Sequence, residues 1–273
     1  GLSSGVSAIA TGNTHTCALT ASGGVKCWGD NRNGQLGDGS TTQRQTAIDV
    51  SGLSGGVSAI ATGSTSTHTC AVSEGGGVKC WGNNGNGQLG DGSITQQLTA
   101  TDVSGLGSGV SAIDTGRAHT CARTAVGGVK CWGNNFNGQL GDGTTTQRLT
   151  AVDVSGLGSG VSAIATGNAY TCALTASGGV KCWGLNTNGQ LGDGSTTQRL
   201  TAVDVSGLTS GVSAIATGSA HTCALTAGGG VKCWGGNSTG QLGDGSTTRS
   251  LTPVDVSGLS SGVSAIATGN AHT

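Results

Sequence analysis

The chain has 273 residues, of which 55 are glycine and one is proline, and aromatic residues make up only 3%. Its 12 basic and 13 acidic residues leave a net charge of -1, which excludes the basic surface typical of a nucleic-acid-binding protein. No apolar run approaches the roughly 20 residues that a transmembrane helix needs, so we expect no membrane insertion.

A single sequence block, Val-Lys-Cys-Trp-Gly, occurs five times, beginning at Val25, Val78, Val129, Val180 and Val231. This regularity predicts one repeat array over 1–273, built from ~51-residue repeats that stack because one copy cannot bury its own apolar face. The repeats span approximately 5–55, 56–108, 109–159, 160–210 and 211–261, and a partial copy spans 262–273.

Each repeat is predicted to form four short strands, since its apolar residues are grouped in short runs bounded by Gly, Asn, Asp and Ser clusters. In the first repeat these strands are 6–11, 15–20, 24–28 and 46–50, and a polar loop leads to the fourth. Four-stranded units at this period predict an all-β protein, a β-propeller with five full repeats and one extra terminal strand. An open or incomplete ring is the alternative to a closed one.

Ten cysteines form five pairs of constant spacing. If Cys17 faces Cys27 across the second and third strands, Leu19 faces Val25 on the same side of the sheet. Facing cysteines repeated in this way predict five disulfides and an oxidising compartment, and hence a secreted or cell-surface protein. The predicted pairs are Cys17 with Cys27, Cys70 with Cys80, Cys121 with Cys131, Cys172 with Cys182, and Cys223 with Cys233.

Three other interpretations of these residues and the loop that follows them remain. Reduced cysteines could serve as small buried hydrophobic residues. His15, Cys17 and Cys27 share a strand face, as zinc ligands would, but they supply only three ligands and Tyr170 replaces the histidine in the fourth repeat. The loop 30–34 superficially resembles a calcium loop, although Arg32 stands where such a loop needs a ligand. We predict no metal and no cofactor.

Several short motifs indicate the family that the chain resembles. They are Gly12-x-x-His15, Ala18-Leu19-Thr20, Gly24-Val25, Trp28-Gly29-x-Asn31 and Gly34-Gln35-Leu36-Gly37. Together they resemble the regulator of chromosome condensation repeat, five times over and along the whole chain. The resemblance implies a propeller of four-stranded blades, normally seven. The cysteine-bearing form of the repeat looks like that of secreted or surface-anchored bacterial proteins.

The family that this resemblance indicates includes proteins of different function. Its eukaryotic founder is a chromatin-bound nucleotide-exchange factor for the small GTPase Ran, and bacterial relatives include a secreted protein inhibitor of β-lactamase. Exchange activity in the family rests on non-repeat loops and a wedge-like insertion, whereas this chain gains only two residues near 64–67. We therefore expect neither exchange activity nor chromatin binding.

The sequence shows no constellation of catalytic residues. The five histidines, at 15, 68, 119, 221 and 272, occupy one repeat position, which predicts a hydrogen bond that locks neighbouring blades rather than a general base. The repeated Asp-Gly pairs, of which Asp38-Gly39 is the first, are typical of turns. We predict that the chain is not an enzyme.

Specific binding needs positions that vary between repeats, and the loop after each tryptophan provides one. The equivalent residues there are Arg32, Gly85, Phe136, Thr187 and Ser238. They are predicted to lie on one rim, and Phe136, the only phenylalanine, is the best candidate anchor for a partner. Plain variation of an exposed loop is the alternative interpretation.

The two ends of the chain carry nearly the same segment, since residues 1–16 and 258–273 differ only at Thr14 and Ala271. Three arrangements would account for this: an excerpt of a longer array, strand exchange with a neighbour, or an open spiral to which subunits add.

These observations predict a non-enzymatic extracellular or cell-surface protein, a structural or adhesive repeat array in which self-association end to end is a further expectation. The alternative is a discrete propeller, inhibitor-like or lectin-like, that binds a protein or a surface glycan through one rim of loops. The sequence does not identify that partner.

Overall fold

The computed structural model describes residue 2 and residues 5–273 of the chain. In this range the regular secondary structure consists of 20 β-strands in five four-stranded antiparallel sheets. We call each sheet a blade and number the blades one to five in chain order. The all-β fold of four-stranded units is confirmed.

The first compact unit consists of Gly1–Ala125, Lys130–Asn134 and Gln147–Val152. Its strands, with parts of the last two outside it, are β1 (Val6–Thr11), β2 (His15–Thr20), β3 (Val25–Gly29), β4 (Arg44–Asp49), β5 (Val57–Ala61), β6 (His68–Ser73), β7 (Val78–Gly82), β8 (Gln97–Asp102), β9 (Val110–Thr115), β10 (His119–Thr124), β11 (Val129–Gly133) and β12 (Arg148–Asp153). They form blades one to three, in the orders β1-β2-β3-β4, β5-β6-β7-β8 and β12-β11-β10-β9.

The second compact unit consists of Val126–Val129, Asn135–Thr146 and Asp153–Thr273. Its strands are β13 (Val161–Thr166), β14 (Tyr170–Thr175), β15 (Val180–Gly184), β16 (Arg199–Asp204), β17 (Val212–Thr217), β18 (His221–Thr226), β19 (Val231–Gly235) and β20 (Ser250–Asp255). They form blade four, β13-β14-β15-β16, and blade five, β17-β18-β19-β20. Every blade is thus a meander in which strands adjacent in sequence pair with one another.

The first two strands begin and end where the sequence predicts, but the third and fourth are shifted. Gly24 is part of the turn, because its carbonyl and its amide both bond to Thr20, at 2.8 and 2.9 Å. β3 therefore begins at Val25 and extends to Gly29, which pairs with Arg44 across an irregularity in the β3–β4 register. This pairing moves the start of β4 two residues toward the N-terminus of its predicted position.

The hairpin of β2 and β3 places Cys17 opposite Cys27 and Leu19 opposite Val25, the register that the parity of the strands predicts. Cys17 and Cys27 form a disulfide with a Cα–Cα distance of 4.1 Å. The other eight cysteines form four equivalent hairpin disulfides, and all ten are fully buried.

The cores of blades one, two and four each include a tryptophan from the blade that follows. The cluster of blade one contains Leu19, Val25, Leu36 and Val50, and it also contains Trp81 from blade two. Trp132 joins the cluster of blade two, and Trp234 joins that of blade four. A blade therefore cannot bury its apolar face without its neighbour.

Across the third and fourth strands of blade one, Lys26 Nζ lies 2.6 Å from Asp49 Oδ1, and both side chains are in contact with solvent. Equivalent exposed pairs join Lys79 to Asp102, Lys181 to Asp204 and Lys232 to Asp255. Such exposed pairs contribute little to stability. The described residues include no helix long and apolar enough to span a membrane.

Removing one hairpin disulfide tests how much each bridge stabilises its blade. We expect Cys70→Ala with Cys80→Ala to lower the free energy of unfolding by about 2–3 kcal/mol, because the unfolded chain gains the entropy of an open loop. Denaturant unfolding of the oxidised protein measures this loss. Glu74→Ala, in the turn of the same hairpin, is the control that should change stability little. An unchanged midpoint in the double variant would contradict a stabilising role.

Candidate functional site

The loop between the third and fourth strands of each blade, which we call the long loop, carries the candidate binding residues. The five long loops are 30–43, 83–96, 134–147, 185–198 and 236–249. The predicted rim residues Arg32, Gly85, Phe136, Thr187 and Ser238 hold equivalent positions near the start of these loops, and all five are exposed. Phe136 is 68% exposed, the largest aromatic surface on the described chain.

A buried asparagine determines the shape of each long loop. The Asn31 Nδ2 atom donates to Asp38 Oδ1 and the carbonyls of Ser40 and Thr42, at 3.0 to 3.1 Å. Its Oδ1 atom accepts from the backbone amide of Leu36 at 3.0 Å. The same four contacts are made by Asn84, Asn135, Asn186 and Asn237 in their own loops. The loops lack the backbone hydrogen bonds that pair strands, and the asparagine side chains bond to the loop backbone instead. These bonds fix the shape of each loop.

The acidic residues of the loop bind protein donors. The Asp38 carboxylate accepts from the Arg44 guanidinium, with a shortest distance of 2.6 Å, and from the Ser40 amide and hydroxyl. Burial alone would raise the pKa of Asp38, but the bonds from Arg44, Ser40 and Asn31 together hold it below its usual value. Asp30 pairs with Arg32 at 3.0 Å, which lowers the pKa of Asp30. These carboxylates act as internal anchors.

The Gly34-Gln35-Leu36-Gly37 segment brings the long loop of blade one into contact with blade two. Gly37 has a positive φ of 70°, and a Cβ atom there would lie 2.8 Å from Trp81 Nε1. A Cβ atom on Gly34 would lie 2.5 Å from a methyl carbon of Leu98 on β8. Only glycine permits this approach, and the equivalent glycines Gly90, Gly141 and Gly192 approach Trp132, Trp183 and Trp234 in the same way.

The backbone carbonyl of Gln35 is the polar centre of the contact between blades. It accepts from Trp81 Nε1 at 2.9 Å and from Thr69 Oγ1 at 3.0 Å, both on blade two. His15 Nε2 lies 2.8 Å from the same threonine hydroxyl. Since that hydroxyl gives its one proton to the carbonyl, the imidazole must be the donor. Gln88, Gln139 and Gln190 accept in the same way from the threonine and tryptophan of the following blade.

His15, His68 and His221 form the histidine–threonine hydrogen bond that the repeat position predicts. His68 repeats the contact of His15, with Nε2 at 2.8 Å from Thr120 Oγ1, and His221 does so with Thr273 at 3.1 Å. Burial lowers the pKa of His68 to about 3, and lowers those of His15, His119 and His221 to about 4. Within the described chain His15 Nδ1 has no partner, so a proton there would be a buried unsatisfied donor.

Tyr170 takes the place of histidine in blade four. Its hydroxyl donates to the backbone carbonyl of His221 in blade five and lies 3.1 Å from Thr222 Oγ1. Burial raises the pKa of Tyr170, so the phenol stays neutral. The ring packs on Gly167, where a Cβ atom would lie 2.0 Å from a ring carbon. A phenol therefore keeps the contact between blades without an imidazole.

A polar cleft of about 280 Å³ lies in the first unit, lined by the residues on either side of Gly85. Asn13, Asn83, Asn86 and Arg117 present amide and guanidinium groups to it. Thr65 and Thr67 also line it, and both lie in the segment 64–67, where the second repeat has its two extra residues. Sequence reasoning noted that insertion but missed the cleft.

The metal interpretations are not supported by the contacts of the residues involved. Cys17 and Cys27 are bonded to each other, so they cannot act as thiolate ligands. Over residue 2 and residues 5–273, no three His, Cys, Asp or Glu side chains are grouped as metal ligands would be.

In successive blades, a glutamine carbonyl and a histidine or tyrosine of one blade bond to the threonine and tryptophan of the next; we call this set of contacts the latch. Five meander blades with this repeated latch define the chain as a β-propeller protein. The family model of the RCC1-like domain matches residues 3–273, so the chain belongs to the RCC1-like domain family, as the motifs predict. It is 34% identical to the Ultraviolet-B receptor UVR8 of Arabidopsis thaliana over 253 residues, which are 91% of this chain and 57% of that protein. It is also 34% identical to the E3 ubiquitin-protein ligase HERC2 of Homo sapiens over 273 residues, 97% of this chain and 6% of the relative.

Solved structures confirm the propeller fold. Human WBSCR16 superposes with a TM-score of 0.81 at 27% identity, over 92% of this chain and 67% of that one. Yeast RCC1, solved in a bound complex, superposes with a TM-score of 0.81 at 22% identity, over 92% of this chain and 61% of that one. The chain spans little more than half the length of UVR8 and a small part of HERC2.

The close approach of the long loop to the next tryptophan can be tested with two glycines of similar φ. Gly52→Ala, at φ 79° with open space around its Cβ position, is expected to cost only the backbone strain of about 1–2 kcal/mol. Gly37→Ala should cost about 1–3 kcal/mol more, because the methyl group also displaces Trp81. Denaturant unfolding compares the two. Equal losses would show that the loop does not press on the indole.

The buried histidines predict a loss of stability on acidification. An unfolded imidazole takes up a proton below about pH 6.5, whereas the folded ones resist until about pH 4 or lower. The folded state should therefore lose about 1.4 kcal/mol per pH unit for each such histidine between pH 6.5 and 4.5. Unfolding free energies across this window measure the slope.

The matched control for this slope is His68→Gln, whose amide can still donate to Thr120. At pH 7.5 its free energy of unfolding should stay close to that of the wild type. Between pH 6.5 and 4.5 its free energy of unfolding should fall by about 1.4 kcal/mol less per pH unit, because one histidine fewer takes up a proton on unfolding. An identical slope in the wild-type protein and the variant would contradict the neutral-histidine latch.

Proposed function

We propose that this propeller is a non-enzymatic, extracellular or cell-surface repeat protein with a structural or adhesive role, which acts by binding other macromolecules. The observation that carries the proposal is the disulfide in every blade, at Cys17–Cys27 and its four equivalents. Disulfides of this kind persist in oxidising compartments and are rare in reducing ones.

The arrangement of the blades supports a durable scaffold. Each blade is closed by its disulfide, and each pair of neighbours shares a tryptophan, a glutamine carbonyl and a threonine hydroxyl. The buried asparagine fixes the shape of each long loop, so the exposed residue near the start of the loop can vary between repeats. The yeast protein Prp20p, whose fold this chain shares, is characterised for its binding to histones. A propeller that displays variable loops on a rigid scaffold is suited to protein recognition.

Production in two compartments of a bacterial host tests the proposed location. We expect the periplasmic protein to be folded, with no cysteine open to alkylation before reduction, and the cytoplasmic protein to be reduced and far less stable. Periplasmic protein that has been reduced and then reoxidised is the control for handling. A fully reduced chain as stable as the oxidised one would contradict a protein adapted to an oxidising compartment.

A second candidate function is recognition of a glycan or protein through the long loops. Two observations favour it: the exposed ring of Phe136, and the amide-lined cleft beside Gly85. Amide and guanidinium donors suit a ligand rich in hydroxyl groups, and an exposed aromatic ring suits a sugar face or an apolar side chain. The proposed contacts therefore lie on variable loop positions and not on the repeated latch.

Binding of the oxidised protein to an immobilised glycan array tests this candidate. Arg117→Ala should abolish a glycan signal that depends on the cleft, and Phe136→Ala should abolish one that depends on the rim. Val126→Ala removes an exposed apolar side chain from a hairpin turn and should leave binding unchanged. The absence of any signal, or a signal unaffected by both loop variants, would contradict glycan recognition.

A further inference from the structure

Two departures from the repeat pattern meet at the polar cleft of the first unit. The second repeat has its two extra residues in the segment 64–67, in the loop between β5 and β6. The third repeat carries Arg117 in the equivalent loop, where the other repeats have asparagine or serine. Thr65, Thr67 and Arg117 all line the cleft of about 280 Å³, whose residues belong to blades one, two and three. Both changes therefore alter one site within the array.

The inserted segment is a fixed part of the cleft wall. Ser66 is fully buried, and its hydroxyl oxygen lies 2.9 Å from His68 Nδ1. Its carbonyl accepts from the backbone amide of Asn13, in blade one, at 3.1 Å. Thr65 and Thr67, on either side of it, are half-buried. The backbone that carries these two hydroxyl groups is thus held in place before a ligand arrives, which lowers the entropy cost of binding.

The long-loop residues of the cleft use their amide oxygens within the protein. Asn83 Oδ1 accepts from the Gly85 amide at 3.1 Å and from Gln88 Nε2 at 2.7 Å. Gln88 Oε1 accepts from the Asn86 amide at 2.8 Å, and Asn86 Oδ1 accepts from Asn134 Nδ2 at 2.9 Å. In the described part of the chain Asn86 Nδ2 has no such partner, so this side chain offers a ligand its N–H donors.

Arg117 supplies the charge of the cleft. Its side chain is exposed, and within residue 2 and residues 5–273 its guanidinium forms no ion pair and no hydrogen bond. Arg44, by contrast, pairs with Asp38. The residues that line the cleft include no Asp or Glu. A planar guanidinium binds a carboxylate through two parallel hydrogen bonds, so a positive cleft rich in donors suits a carboxylate ligand.

We propose that this cleft binds the carboxylate of an acidic sugar residue, such as a uronic acid in a surface polysaccharide. Arg117 pairs with the carboxylate, and Asn86 Nδ2 and the threonine hydroxyls contact the hydroxyl groups of the ring. The volume is at the lower end of the range for small-molecule sites and fits one sugar residue. The inference rests on the second candidate function and names the ligand class of the cleft.

The composition of the lining favours an acidic sugar over two other ligands. A neutral sugar needs acceptors for its hydroxyl protons, whereas the amide oxygens of Asn83, Asn86 and Gln88 already accept from the protein. An acidic side chain of a protein brings methylene groups with it, and Ala118 is the one apolar residue among those that line the cleft. A ligand that is polar on all sides is the better match.

Titration calorimetry of the oxidised protein at low ionic strength tests the ligand class. The probes are a galacturonic acid trisaccharide, its methyl ester, and a short glutamate peptide. We expect the acid to bind and the ester to bind about 10- to 100-fold more weakly, because the ester keeps the shape of the sugar and loses the charge-assisted hydrogen bonds. Added salt should weaken binding of the acid, since the guanidinium is exposed.

Three variants assign the binding to the cleft. Arg117→Asn introduces the amino acid that the first repeat has at this position, so the fold should be kept, and the acid should bind about 10- to 100-fold more weakly while the ester is unaffected. Removal of Thr65 and Ser66 restores the length of the other repeats and should weaken binding of both sugars. Arg249→Asn removes the same charge from an exposed arginine outside the cleft, and this matched control should bind like the wild type.

Four results would overturn the inference: no binding of the acid, equal binding of the acid and the ester, binding unaffected by Arg117→Asn, or a glutamate peptide that binds as tightly as the acidic sugar. The last would assign the cleft to an acidic protein partner. A neutral glycan bound through Phe136 would leave the second candidate function intact while this inference fails, so the two can be told apart.

Discussion

The contact on which the rest of the structure depends is the insertion of a tryptophan from one blade into the core of the blade before it. Strands of five or six residues rich in Ala, Val, Ser and Thr leave a shallow core, and Trp81 supplies blade one with its largest apolar group. Truncating a buried aromatic residue of this size costs about 3–5 kcal/mol, a large part of the 5–15 kcal/mol that typically stabilises a domain. The stability of this protein therefore lies between its blades as much as within them.

Three kinds of contact stabilise each blade. The disulfide closes the hairpin of the second and third strands, the asparagine shapes the long loop, and the glutamine carbonyl receives the next blade. None of the three uses the variable position near the start of the loop, where Arg32 in one repeat corresponds to Phe136 in another. The side chain at this position can therefore change while the disulfide, the asparagine and the glutamine carbonyl keep their contacts.

The elements that depend on local pattern could be predicted from the sequence, and those that depend on the placement of distant repeats could not. The strand from Val6 to Thr11 and the facing of Cys17 and Cys27 follow from alternation within one hairpin. That His15 bonds to Thr69 in the next repeat follows only from how two blades pack. Asn31 was visible as part of a motif, but a sequence does not show that one amide makes four contacts. The bounds of β3 and β4 moved because the register between them is irregular.

The exchange of histidine for tyrosine in blade four shows what the latch requires. An imidazole and a phenol differ in charge and in titration, yet His15 and Tyr170 both place a donor against the following blade, above a glycine that leaves room for the ring. The property that these positions share is a neutral donor of the right reach, which burial ensures by lowering the pKa of the imidazole and raising that of the phenol. Proton transfer is not what the position provides. The repeated residues of this chain therefore build the scaffold, and the recognition that we propose would use the residues that differ between repeats, near the start of the long loops and beside the insertion in blade two.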